Sequence, residues 1–270
     1  MRRIALLLAV LAFAGAVCGC QSIRRPEVPA GPSFRIMTWN VHWAMPQPDL
    51  ALEVIKASDA DIVCLQETNL EWEVYLRPRL AQTYPVIEFR HDEKRLGGGL
   101  AIFSRLPAVD VAYVASDIDW YDGWIMAFAT PAGPVQVNNV HLQPGENERG
   151  RFTASAYLAA RNNHAHEIQR NYRQLLPGLP APVVGDFNED DDGKAIEWLE
   201  NKGMTNALPE FDRRSPTWRW LVGPFVVHHR LDHIIYGGLY AFSARVLNAG
   251  GSDHMPVIAD FGRAGPKENR

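Results

Sequence analysis

The chain has 270 residues, 47% hydrophobic and 21% charged, with a formal net charge of -4. That composition is globular and long enough for one large single-core domain or two small ones. The net acidic balance excludes a general nucleic-acid binder held by charge alone, while leaving room for a local basic groove.

Arg2 and Arg3 precede the short apolar run "IALLLAVLAFAGAV" over 4–17. The run is short for a membrane span and fits a secretory signal. The following "VCGC" resembles a bacterial lipobox, which implies cleavage before Cys20 and acylation of that residue. Gln21 after the cysteine points, by the same resemblance, to the outer membrane facing the periplasm. The alternative is a cleaved signal and a soluble exported protein. Residues 1–19 are therefore expected to be a lipoprotein-type signal peptide. Residues 20–33, with three prolines in "QSIRRPEVPAGPS", read as an extended tether. The body is expected over 34–261 and a polar tail over 262–270. No obligate protein partner is implied.

Within the body, elements alternate. "FRIMTWNV" (34–41) predicts a strand, then "PDLALEVIKAS" (48–58) a helix with Leu50, Val54 and Ile55 on one side. "DIVCLQE" (61–67) predicts a strand holding Cys64 as a buried thiol. A lone cysteine makes neither an intramolecular disulfide nor a zinc cluster. Gly97, Gly98 and Gly99 predict a turn into the strand "GLAIFS" (99–104); without a Gly-Lys-Ser/Thr ending they are no phosphate-binding P-loop. "VQVNNVHL" (135–142) follows as a strand. "NHAHEIQRNYRQLL" (163–176) predicts a helix with His164, Ile168, Tyr172 and Leu175 on one stripe. "APVVGDF" (181–187) is a strand, and "GKAIEWLENKG" (193–203) a helix burying Ala195, Ile196 and Leu199 and stopping at Gly203. "LDHIIYG" (231–237) and "MPVIADF" (255–261) complete the strands. Continuous apolar strands imply sheets covered on both faces, so the fold class is α/β or α+β with a layered core.

The apolar runs end in groups that are costly to bury unpaired. Asn40, Glu67, His141, Asp186 with Asn188, and Asp253 with His254 all fall at or beside strand ends, and Asp232 lies inside one. One such residue reads as a turn former or cap; the repetition suggests a shared pocket. The oxygen-donor set Asn40, Glu67, Asp186 and Asp253 suits Mg²⁺ or Mn²⁺ better than zinc, and with His141 and His254 it suits displacement at phosphorus. No G-x-S-x-G elbow supports a serine hydrolase. Local alternatives stand beside this reading. Asn40 could cap its strand, Asp186 and Asn188 could form an Asx-turn, Asp232 could pair with Arg230, and His141 could be a core histidine. His228, His229 and His233 read as local structure, and Trp218 and Trp220 as packing or a loop rim.

In order, "MTWNVHW", "DIVCLQET", "GGGLAIFSR", "VHLQP", "VVGDFNED", "RLDHIIY" and "SDHMPVI" resemble the endonuclease/exonuclease/phosphatase superfamily of DNase I-like enzymes over about 34–261. The resemblance implies a four-layer α/β sandwich, two packed mixed β-sheets flanked by helices. It implies a divalent-metal-dependent phosphoester hydrolase using in-line attack of an activated water. By resemblance Glu67 and Asn40 form the metal site and Asp253 is a second acid near it. Asp186 orients or deprotonates the water, and Asn188 holds a phosphate oxygen. His254 contacts the phosphate, Asp232 orients His254, and His141 acts on the leaving-group side. The expected substrate is a phosphodiester. A nuclease comes first, needing a basic groove from residues such as Arg90, Lys94, Arg95, Arg105, Arg149, Arg151, Arg161, Arg170 and Arg173. A phospholipid-headgroup phosphodiesterase or phosphatase is the alternative. A non-catalytic binding protein on the same fold is remote, because Glu67, Asp186 and His254 are all present.

Overall fold

The computed structural model describes residues 22–45, 47–146, 153–222 and 224–263. The expected signal peptide with its lipobox-like motif, Arg149, Arg151 and most of the tail lie outside the described residues. Residues 22–32 carry no helix or strand, yet the Arg24 amide donates to Glu210 O and the Glu27 amide to Phe242 O, laying this segment along the body. Among the described residues no helix is long and apolar enough to cross a membrane.

One six-stranded sheet contains β1 (Ser33–Asn40), β2 (Ile62–Thr68), β3 (Val86–Arg90), β4 (Gly99–Ser104), β13 (Tyr240–Val246) and β14 (Val257–Gly262), in the order β13-β14-β1-β2-β4-β3. The other contains β5 (Ala108–Val114), β6 (Gly123–Thr130), β7 (Gly133–His141), β8 (Val183–Asp186), β9 (Thr205–Asn206) and β12 (Asp232–Tyr236), in the order β5-β6-β7-β8-β12-β9. A separate hairpin joins β10 (Trp218–Val222) to β11 (Phe225–His229). The helices are α1 (Pro48–Ser58), α2 (Leu70–Leu80), α3 (Ala154–Tyr172), α4 (Lys194–Glu200) and α5 (Ala207–Phe211). Each large sheet is antiparallel except for one pair near its middle, β1 with β2 and β7 with β8.

The strand periodicity of two explains why apolar runs are continuous. Successive side chains point to opposite faces, and both faces are covered. Ile36, Ile62, Cys64 and Ile102 join Val184 and Ile234 in a core between the sheets. Their neighbours Met37, Val63, Leu65 and Phe103 pack instead with Val54, Ile55, Leu76 and Leu80 of α1 and α2. Val183 and Ile235 pack with Ile168, Ile196 and Leu199 of α3 and α4. The layers therefore run helices, sheet, sheet, helices, the expected four-layer sandwich of mixed sheets. Cys64 is buried between the sheets, and burial pushes its thiol pKa up.

Local details differ from the sequence expectation. Leu50 is exposed, and the buried side of α1 is Ala51, Val54, Ile55 and Ser58. α3 begins at Ala154, with Thr153 Oγ1 accepting from the Ala156 amide at 3.1 Å, nine residues before the apolar stripe becomes regular. α2 was not expected: only Trp72, Leu76 and Leu80 are buried, and charged residues interrupt them. Edge strands β3 and β5, and the hairpin, carry too many exposed positions to read as buried runs.

Candidate active site

The two parallel pairs set the site. β1 and β2 end together, with Asn40 opposite Gln66 and Glu67 next in the chain. In the other sheet β7 and β8 end together with His141 opposite Asp186, and antiparallel β12 places Asp232 on the other side of Asp186. Gly185 makes the second pairing possible: its φ is +144°, and a Cβ there would sit 1.8 Å from the Val140 carbonyl oxygen. Carboxyl ends of parallel strands are where α/β sheets form clefts, and here two such ends, one per sheet, share one.

Side chains from both sheets meet at Asp186, which is buried. Asn40 Nδ2 donates to Asp186 Oδ2 at 2.9 Å and to Glu67 Oε1 at 2.9 Å, so one amide spans the sheets. The same Asp186 oxygen lies 3.6 Å from Nε2 of His141 and 3.6 Å from Nε2 of His254. His254 Nδ1 donates to Asp232 Oδ2 at 2.8 Å. Glu67 and Asn188 stand in the left-handed region, with φ of 58° and 52°. Such conformations are uncommon outside glycine and cluster at functional sites. At Asn188 the turn bends the chain after Phe187, whose ring is buried in the core against α4.

The local alternatives resolve residue by residue. An Asx-turn is present, since Asp186 Oδ1 accepts from the Asn188 amide at 2.9 Å, but it uses one oxygen and leaves Oδ2 facing the imidazoles. Asn188 Nδ2 donates to Leu142 O. Arg230 pairs with Asp191, not Asp232. His141 Nδ1 donates to Gly97 O at 3.1 Å, so the triglycine turn fixes its tautomer. Asp253 sits at the rim, its Oδ2 accepting from Trp218 Nε1 at 3.0 Å and its Oδ1 3.4 Å from Ser252 Oγ.

The charges of the site follow from burial and neighbours. Burial lowers the His141 pKa to about 4, only partly offset by Asp186, so this ring is neutral near pH 7. Burial also opposes charge on His254, but Asp232 and then Asp186 outweigh it and push the pKa up to about 10. Burial raises Asp186 above the usual carboxylate range while the His254 charge works against that rise.

Sequence reasoning passed over several groups. Tyr121 stacks on His141 with ring centroids 4.0 Å apart. Glu146 is raised by burial and by Glu67, which places a further carboxylate near the metal-binding candidates. Glu189 is buried and accepts from His164 Nδ1 at 2.8 Å and from the amides of Lys194, Ala195 and Ile196, capping α4 directly behind Asn188. Tyr121 and Glu146, isolated in polar loops, gave no pattern to find, whereas Glu189 lies in the acidic stretch 189–192 that the sequence reads as the entry to the next helix.

A cation has two candidate places. Asp186, Asp232 and His254 offer ligand atoms within 4.8 Å of one another, close enough to hold one ion. There, however, His254 Nδ1 is engaged by Asp232 and the ring carries its own positive charge. Glu67 supplies carboxylate oxygens, with Glu146 and Asp186 adding negative charge nearby, while Asn40 turns Nδ2 to Glu67 and Asp186 and its Oδ1 accepts from the His42 amide at 3.0 Å. This set fits Mg²⁺ or Mn²⁺.

The sequence profile of the Endonuclease/Exonuclease/phosphatase family matches residues 37–254. An inositol phosphosphingolipids phospholipase C of Saccharomyces cerevisiae is 30% identical over 148 residues, spanning 48% of this chain and 30% of that protein's length. The match thus covers less than a third of that relative. The human Nocturnin catalytic domain with bound sulfate superposes with a TM-score of 0.63 at 19% identity, over 89% of this chain and 100% of the other. D. rerio TDP2 complexed with a single strand DNA product superposes with a TM-score of 0.64 at 15% identity, over 85% and 99% of the two chains. An endonuclease/exonuclease/phosphatase family protein from Bacteroides thetaiotaomicron gives 0.64 at 19% identity, over 85% and 97%.

Proposed function

The chain belongs to the endonuclease/exonuclease/phosphatase family, and we propose that it is a divalent-metal-dependent phosphodiesterase whose substrate is a phospholipid headgroup ester. The observation that carries the catalytic reading is the position of Asp186 Oδ2, 2.9 Å from Asn40 Nδ2 and 3.6 Å from both imidazoles. A reacting oxygen set among these groups has a proton acceptor, a positive imidazole and a neighbouring cation position.

Asp186 accepts the proton of the attacking water; burial raises its proton affinity and the His254 charge works against that rise. His254, held by Asp232, presents its Nε2–H to a phosphate oxygen and meets the negative charge that grows there. Glu67 would hold the Mg²⁺ or Mn²⁺, with Asn40 beside it and Asp253 further out on the rim. The bound ion supplies positive charge against the phosphate oxygens. Asn188, anchored through Leu142 O, borders the phosphate position. His141, neutral and fixed by Gly97 O, positions Asp186 and the leaving-group side.

Two observations favour a lipid ester over nucleic acid. The yeast relative is a sphingolipid phospholipase C. And four of the cations expected to track a nucleic-acid backbone are paired with acids: Arg90 with Asp110, Arg105 with Asp59, Arg161 with Asp192 and Arg170 with Asp117.

The test is hydrolysis of bis-p-nitrophenyl phosphate with Mg²⁺ or Mn²⁺, followed by a panel of sphingomyelin, phosphoinositides, plasmid DNA and RNA. EDTA is expected to abolish turnover. Asp186→Ala and His254→Ala are each expected to lower kcat by about 10²- to 10⁴-fold while leaving the circular dichroism spectrum intact. Unchanged turnover in both variants would sink the assignment.

A further inference from the structure

The surface around the site exposes more large apolar side chains than a soluble rim requires. The β10–β11 hairpin bonds to neither six-stranded sheet. Its outer half is apolar: Trp220 is 54% exposed, Leu221 75% and Phe225 72%, with Val226 and Val227 beside them. Cross-strand register sets Trp220 against Val227 and Leu221 against Val226, so both faces of the tip are apolar.

The base of this hairpin is joined to the site. Trp218 bridges His254 in backbone pairing, the Arg219 amide donates to Asp253 O, and the Met255 amide donates to Thr217 O. Two further exposed apolar side chains lie next to residues of the site. Trp43, whose amide donates to Glu67 Oε2, and Leu96, next to the Gly97 that fixes His141, are both exposed. Exposed apolar side chains therefore adjoin the candidate site in three segments, at the hairpin, after β1 and before β4.

Charge accompanies them. Arg213, Arg214 and Arg219 are exposed at the hairpin base and form no ion pair among the described residues. An apolar tip above a basic collar is the arrangement that complements a bilayer with anionic headgroups: aromatic and aliphatic groups enter the interface and cations stay at the phosphate level.

We propose that the mouth of the site docks on a phospholipid bilayer, the β10–β11 tip entering the interface with Arg213, Arg214 and Arg219 facing anionic headgroups. The occupant is a membrane surface. This deepens the phospholipid reading of the site and takes its purpose from it, but the surface and the chemistry fail separately.

The experiment uses the chain from Ser22 onward, which holds every described strand and helix, so that no acyl anchor contributes. Binding is read by co-sedimentation with vesicles of phosphatidylcholine and phosphatidylserine, and catalysis by hydrolysis of soluble bis-p-nitrophenyl phosphate. The combined variant Trp220→Ser, Leu221→Ser, Phe225→Ser is expected to partition about tenfold less or weaker still, with soluble turnover unchanged. Because these positions are exposed, unchanged turnover also reports an intact fold. Arg213→Glu with Arg214→Glu and Arg219→Glu should remove the preference for phosphatidylserine vesicles over pure phosphatidylcholine. Equal sedimentation of native chain and tip variant overturns the proposal. So does a tip-dependent dimer in light scattering, or tip-dependent binding of single-stranded DNA, without vesicle binding. Tip-dependent vesicle binding by a chain that hydrolyses no diester upholds the surface and overturns the catalytic reading.

Discussion

At the scale of single residues, burial and neighbours push two buried imidazoles of the candidate site in opposite directions. His141 and His254 face the same Asp186 oxygen, yet one ring is neutral and the other charged. The difference lies on the far side of each ring, a carbonyl at Gly97 for His141 and a carboxylate at Asp232 for His254. The pKa of His254 is raised from 6.5 to about 10. Its charged form is therefore favoured by folding, so its contribution to stability is complete below the ordinary histidine value and is lost as pH rises through about 10. Asp232→Asn removes that support. The alkaline limb of kcat/KM for a soluble diester is expected to move to lower pH in this variant. The native decline in Tm between neutral pH and pH 10 is expected to flatten. An alkaline limb that stays in place would show that Asp232 does not set the charge on His254.

At the scale of elements, two parallel strand pairs deliver the groups of the candidate site, and their close approach depends on a residue with no side chain. Gly185 stands where any Cβ meets the Val140 carbonyl, and its φ of +144° disfavours other residues. Gly185→Ala must push β7 from β8, the pair that sets His141 beside Asp186. A loss on the order of 3 kcal/mol in urea denaturation is expected, together with a fall in kcat even where the variant remains folded. A neutral substitution would mean that the pair does not need this contact. Much of this level was legible in the sequence, because doubly covered strands are continuous apolar runs and their ends stand out as polar. The parts that were not legible mostly have exposed faces, β6 being a buried exception. α2 buries Trp72, Leu76 and Leu80 at a spacing of four but among charges, and the β10–β11 hairpin buries none of its outer half.

At the scale of the whole molecule, the sandwich forces like charges from both sheets to one place. Glu67 belongs to one sheet and Asp186 to the other, with Glu146 nearby, and Asn40 Nδ2 is the group that joins the first two. Behind them Gln66 Nε2 donates to Asn139 Oδ1 at 2.7 Å, and Asn139 Nδ2 to Leu65 O at 3.1 Å, tying the sheets through buried polar groups. A cation bound at this junction is expected to stabilise the fold as well as the reaction. Mg²⁺ at a hundredfold excess over its Kd would contribute about 2.7 kcal/mol, read as a rise in Tm of roughly 5–10 °C for a chain of this size. Glu67→Gln should abolish most of that rise. A Tm that ignores Mg²⁺ in the native chain would argue against a metal held between the sheets.

The order of motifs, the layered class and the residues worth watching were determined by the sequence alone, because burying a strand on both faces leaves a pattern of two along the chain and makes each polar exception conspicuous. What only the tertiary structure decided is how those exceptions relate. The Asp186 oxygen serves a turn on one side and two imidazoles on the other. Arg230 takes Asp191 and leaves Asp232 to His254. Asp253 turns to Trp218, and an apolar hairpin stands over the site it helps to build. Partner choice of this kind depends on distances of a few ångströms between segments far apart in the chain, and a charge or amide carries no mark in sequence of which neighbour it will meet.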